Sequence, residues 1–157
     1  MILDSGVFNI KTNECFVGHG EVLGLPVTVV DTPGWSLFCL ANPGHVRAEM
    51  SRSPSLCPQG SKLAFVLAVP VDSFREKDRR AIEEYLSVLG QEVWRRTVVL
   101  FTYGEQLKRR TLESYIKEKG EPLQWVLGRC GYRHCILDTN TAEDTHVAQL
   151  LEMVERL

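Results

Sequence analysis

Short apolar runs alternate with amphipathic stretches along this chain, and no other feature constrains its fold as tightly. Pro26–Val30 (PVTVV), Leu63–Val69 (LAFVLAV), Thr97–Thr102 (TVVLFT) and His134–Leu137 read as strands. Their apolarity is nearly continuous, which predicts strands covered on both faces. A more polar stretch, Glu14 to Leu23, reads as an edge strand. Between the runs, Ile82, Tyr85, Leu86 and Leu89 recur at helical spacing within Arg75–Leu89. Ser73 and Glu76 offer a capping box at its start, and Gly90 offers a stop. Leu112, Tyr115 and Ile116 mark an amphipathic turn before Gly120. Val147, Leu150, Leu151, Val154 and Leu157 form a final stripe, and Asn42–Arg52 is a weaker helical segment. These stripes are read as core. Strands alternating with helices predict an α/β domain on a mostly parallel sheet.

The length of 157 residues fits one domain spanning 1–157, large enough to bury ~70% of its unfolded surface. A net charge of −2 gives no electrostatic footprint for nucleic acid or an acidic membrane. No apolar run nears the ~20 residues of a membrane helix, and Met1–Asp4 shows no basic leader start. The five cysteines, Cys15, Cys39, Cys57, Cys130 and Cys135, are odd in number and form no C-x-x-C pair. They are read as reduced, mostly buried thiols of a cytoplasmic protein.

The chemistry concentrates in Val27–Gly34, where an apolar strand runs into Asp31-Thr32-Pro33-Gly34. In phosphate-binding α/β proteins, an acid at a strand end can hold Mg²⁺ through water. A following glycine lets its backbone N–H approach a terminal phosphate. The same four residues also occur as a plain turn.

The longer match separates these readings. The chain resembles the AIG-type G domain of the immunity-associated GTPases, the GIMAP family. The resemblance runs from Thr12 and Cys15 through Gly20–Gly24 and Val27–Trp35 to Ser55–Pro58, Leu63–Val71 and Phe74–Lys77. It continues through Leu89–Trp94, Val98–Gly104 and Leu123–Arg133, and covers roughly Ile2 to Asn140. It implies a P-loop NTPase-type, doubly wound, mostly parallel sheet with helices on both faces. It implies GTP or GDP with Mg²⁺ as ligands, and homo- or hetero-dimerisation through the G domain. By position, Thr12 resembles the switch threonine that meets Mg²⁺, Asp31 the Mg²⁺-associated acid and Gly34 the γ-phosphate sensor. Thr102, Gly104 and Glu105 stand where the family reads the base, normally with Asp in place of Glu105. An acid there accepts from the guanine N1–H and 2-amino group, which adenine does not supply. Asp138 and Thr139 stand where the family shows paired asparagines beside the base.

The phosphate-binding loop G-x-x-x-x-G-K-[ST] is absent, and no Gly-Lys dipeptide occurs. Met1–Asp4 align with the helix after that loop, so the expected sheet lacks its first, central strand. That strand would lie between Pro26–Val30 and Leu63–Val69. Each unpaired buried backbone group costs ~1–3 kcal/mol, against a domain stability of ~5–15 kcal/mol. The expectation is that these flanking strands close up, or that the chain is part of a longer protein and folds poorly in isolation.

No glutamine or arginine is placed to position water or neutralise transition-state charge, so no catalytic residue is assigned and hydrolysis is expected to be weak or absent. Trp35 suits either partner contact or local packing, and His45 reads as a surface histidine. Cys130, His134 and Cys135 lack further ligands for a metal site. The paired arginines, Arg79/Arg80, Arg95/Arg96 and Arg109/Arg110, read as solvated faces. The leading expectation is a GTP-binding switch domain. The second is a nucleotide-free relative acting as an interaction or dimerisation module.

Overall fold

The computed structural model describes residues 14–35, 43–138 and 143–157. The strands form two sheets, a two-stranded antiparallel ribbon and a three-stranded parallel sheet of order β3-β4-β5. Two compact units result. One comprises residues up to Leu63 with Ala81–Gly90, the other Ala64–Arg80 with Gln91–Leu157.

In the first unit, β1 (Phe16–Val22) and β2 (Leu25–Asp31) pair antiparallel from Val22↔Leu25 to Phe16↔Asp31. The two-residue turn Leu23-Gly24 has positive φ at both positions, 51° and 79°. This is the primed turn geometry whose twist suits a hairpin. Helix α1 (Pro43–Arg52) follows, with Pro at its first position and Val46, Glu49 and Met50 buried on one face. Glu49 is a buried acid with full compensation. Arg52 holds both its oxygens at 2.7 Å, and the Cys15 N–H donates to Oε2 at 2.6 Å. The Arg52 guanidinium is the main reason the carboxyl is held down at about 2. This cluster ties α1 to the entrance of β1.

Helix α2 (Glu76–Ser87) buries Ala81, Ile82, Tyr85 and Leu86. Its start differs from the expected box. The Asp78 carboxylate accepts from the Arg75 N–H at 2.8 Å, while Glu76 pairs with Arg79 and Arg80. Because the helix begins at Glu76, the reaching acid three residues into it is Asp78. Gly90, at φ 85°, ends the helical segment, and its N–H donates to the Ser87 carbonyl.

In the second unit, β3 (Phe65–Pro70) and β5 (His134–Ile136) flank β4 (Thr97–Thr102), all parallel. Thr97–Phe101 are all buried, as the apolar run predicts. Helix α3 (Leu112–Lys119) is capped by Thr111, whose hydroxyl accepts from the Ser114 N–H at 3.1 Å. Helix α4 (Glu121–Arg129) packs on α3. Sequence reading did not resolve α4, although Leu123, Val126, Leu127 and Cys130 keep helical spacing and are all fully buried. Helix α5 (Glu143–Glu155) lies along β5 and β4.

β2 and β3 belong to different sheets, so the closing-up of these two strands is not seen. Nor is β2 covered on both faces, since none of its residues is buried. β3 alternates instead, with Leu67 and Val69 buried and Val66 exposed.

Candidate functional site

Each unit ends a strand in one of the singled-out motifs. Asp31 closes β2, and Thr32, Pro33 and Gly34 follow as irregular backbone. Burial raises the Asp31 carboxyl above its usual range, partly countered by the Thr32 N–H. A carboxylate short of solvation gains from a nearby cation. The segment is held from α2. Thr32 Oγ1 and Tyr85 Oη lie 2.7 Å apart, and Tyr85 Oη donates to the Pro33 carbonyl at 2.5 Å. Pro33 is fully buried, whereas Gly34 is exposed. By its place in the helical stripe, Tyr85 reads only as core. Its polar tip, in an otherwise apolar stripe, was the available signal, since a buried phenol requires a partner.

The second motif follows β4. The Val71 N–H donates to the Thr102 carbonyl at 2.9 Å, prolonging the β3–β4 ladder. Tyr103 takes the left-handed conformation, φ 58°, with its side chain 55% exposed. Gly104 then opens a 3₁₀ turn, Gly104–Leu107, and its N–H donates to the Leu137 carbonyl at 3.0 Å. The Leu137 N–H in turn donates to the Phe101 carbonyl at 2.7 Å. These bonds zip the end of β4 to the end of β5. A Cβ at Gly104 would lie 2.9 Å from Ile136 Cδ1 and 3.1 Å from Asp138 Cβ, so glycine is what admits this approach.

The same packing seats Glu105. Its Oε2 is shut away from solvent and has no hydrogen-bond partner. Buried carboxylate oxygens are almost always paired, so one left without a donor calls for a specific cause.

Thr102, Gly104 and Glu105 thus lie at the end of β4 in the second unit, with Asp138 beside Gly104, while Asp31 and Gly34 lie at the end of β2 in the first. Thr12 and Thr139 lie outside the described residues. Trp35, half-buried, follows Gly34, and His45 is exposed on α1. Cys15, Cys57, Cys130 and Cys135 are free thiols, the last two buried. Burial pushes Cys15, Cys130 and Cys135 up to about 11, which suppresses the reactive thiolate at neutral pH. Among the described residues, no three His, Cys, Asp or Glu side chains gather as metal ligands. No helix among them is long and apolar enough to cross a membrane.

Residues 1–157 match the AIG1 family model. The chain is similar to GTPase IMAP family member 8 of Homo sapiens, 31% identical over 140 residues, 85% of this chain and 21% of that protein. It is also similar to GTPase IMAP family member 8 of Mus musculus, 28% identical over 166 residues, 99% of this chain and 24% of the relative. The chain thus spans under a quarter of the length of the curated relatives it matches.

Proposed function

Because the chain belongs to the AIG1 family, we propose that it is a guanine-nucleotide-binding switch domain whose base-reading acid is Glu105. The observation that carries this reading is Glu105 Oε2, left without a donor on the 3₁₀ turn that follows β4, which a base would reach once its cover opens. Guanine presents two adjacent donors, N1–H and the 2-amino group, to a carboxylate. Adenine presents an acceptor at N1, so the same oxygen would face a lone pair and pay for its desolvation. Thr102 and Asp138 flank this position. Asp31, with Thr12, would hold the Mg²⁺ that accompanies the nucleotide, and Gly34 would offer its N–H to the terminal phosphate. When bound, Mg²⁺ would supply charge neutralisation at the phosphates. No residue is assigned to hydrolysis.

Titration of the whole chain with fluorescent guanine and adenine nucleotides tests the proposal. Guanine nucleotides should bind in preference to adenine nucleotides, and Glu105→Gln should weaken the guanine series by about 10–100-fold. Equal affinity for the two bases, or no loss in the variant, overturns the assignment. Glu105→Asp, with one methylene fewer, should sharpen the preference.

A second reading is supported by the ribbon. β1 and β2 contain no buried residue, and Val17, Leu23 and Leu25 are exposed. Such a surface suits a nucleotide-independent docking or dimerisation module. Self-association that is indifferent to nucleotide would favour it. Self-association that requires guanine nucleotide would favour the switch domain.

A further inference from the structure

The Asp31–Gly34 segment carries a positioning device in α2. The Pro33 carbonyl can only accept, so Tyr85 spends its one proton there. The contact between Thr32 Oγ1 and Tyr85 Oη must then run the other way, with the Thr32 hydroxyl donating. A single phenol oxygen therefore closes a relay from Thr32 through Tyr85 to Pro33. The consequence falls on the next residue, because the Pro33 carbonyl and the Gly34 N–H belong to one peptide unit. That unit is trans, as no cis bond occurs among the described residues, and a trans peptide points its C=O and N–H in opposite directions. Anchoring the carbonyl toward the buried phenol, 5% exposed, turns the N–H of exposed Gly34 away from α2.

We propose that Tyr85 is a positioning residue that aims the Gly34 N–H outward, ready for an anionic oxygen of the chemistry of a nucleotide's terminal phosphate. This rests on the reading of Gly34 as the amide that meets that phosphate. Rotating this peptide unit breaks the Tyr85–Pro33 hydrogen bond, so occupancy at Gly34 and the seating of α2 are coupled.

The experiment compares wild type with Tyr85→Phe, which keeps the ring, for a non-hydrolysable GTP analogue and for GDP, with Mg²⁺. The Gly34 ¹⁵N–¹H resonance is followed without nucleotide. Tyr85→Phe should cost the triphosphate about tenfold in affinity and leave GDP within about twofold, and it should shift the Gly34 resonance. Thr32→Val, which removes only the donor to Tyr85, should give a smaller loss in the same direction. Thr32→Ser should restore the wild-type ratio. Equal losses for both nucleotides, or no loss for either, overturn the proposal. If wild type binds neither nucleotide, the guanine reading falls by itself. The Gly34 resonance then decides, and an unmoved resonance in Tyr85→Phe overturns the positioning role. Should Tyr85→Phe fail to fold, the Thr32 pair carries the same comparison.

Discussion

β2 and β4 have similar sequences and different surroundings. Both are short apolar runs rich in β-branched residues, and both end at a motif of the candidate site. β4 has a ladder on each edge, and every residue from Thr97 to Phe101 is buried. β2 has one partner, and none of its residues is buried. What decides coverage is what packs on a strand's edges and faces, a property of topology rather than of the run itself, since β3 also has one ladder partner yet buries Leu67 and Val69. The consequence extends to function. The segment proposed to read the base grows from a strand paired on both sides, whereas Asp31–Gly34 follows a ribbon and is held to α2 through the Tyr85 hydroxyl. A rigid end suits recognition of a flat base. A lightly held end suits a segment that responds to ligand.

The largest test of that contrast is side-chain truncation. Phe101 is fully buried and meets Tyr115 edge-on, with ring centroids 6.0 Å apart. Phe101→Ala should cost about 3–5 kcal/mol, and Val29→Ala in half-buried β2 under about 1.5 kcal/mol. Denaturant titration of the two variants reads the difference, and similar costs would break the comparison. Amide exchange sharpens it further, since β4 should exchange only on global opening and β2 well before.

Next comes the acid–base cluster of the first unit. Glu49→Gln removes the ion pair with Arg52 and weakens the bond from the Cys15 N–H, for a cost of about 1–3 kcal/mol at neutral pH. The Glu49 carboxyl titrates near 2 in the fold, below its ordinary 4.5. Its contribution is therefore complete above about pH 4.5 and is lost as pH falls toward 2. The gap between wild type and variant in thermal melts should narrow across that window, and a gap independent of pH would refute the assignment.

Asp31→Asn is a smaller effect with two signs. Burial raises the Asp31 carboxyl in the fold, so its charge is a burden at neutral pH that eases as pH falls. The amide should slightly raise the melting temperature while weakening Mg²⁺-dependent nucleotide binding. A drop in both would mean that the carboxylate is a structural partner instead. The smallest effect is expected at the hairpin tip, where Leu23 holds φ 51°. Asn tolerates that conformation better, so Leu23→Asn should stabilise by about 0.5–1 kcal/mol, and a loss in chemical denaturation would argue against strain there.

Much of this was legible in the sequence because periodicity and turn chemistry are local. The parallel sheet followed from strands alternating with helical stripes. Thr102, Gly104, Glu105 and Asp138 were singled out by position, and the structure sets Gly104 against Asp138, while their role is the proposal above. Helix α4 was missed because it follows α3 with only Gly120 between them, so no loop signalled a second start. Tyr85 was missed as more than core because nothing in a helical stripe says which turn lies above it.

The sequence by itself determined the α/β class, the family and the identity of the acids and glycines at the two strand ends. Each of these is a matter of residue type at fixed spacing. The tertiary structure decided which apolar strand is covered and left Glu105 Oε2 buried without a donor. It also anchored the Pro33 carbonyl on the Tyr85 hydroxyl, more than fifty positions away. Those outcomes depend on contacts between residues distant in sequence, which no local pattern encodes.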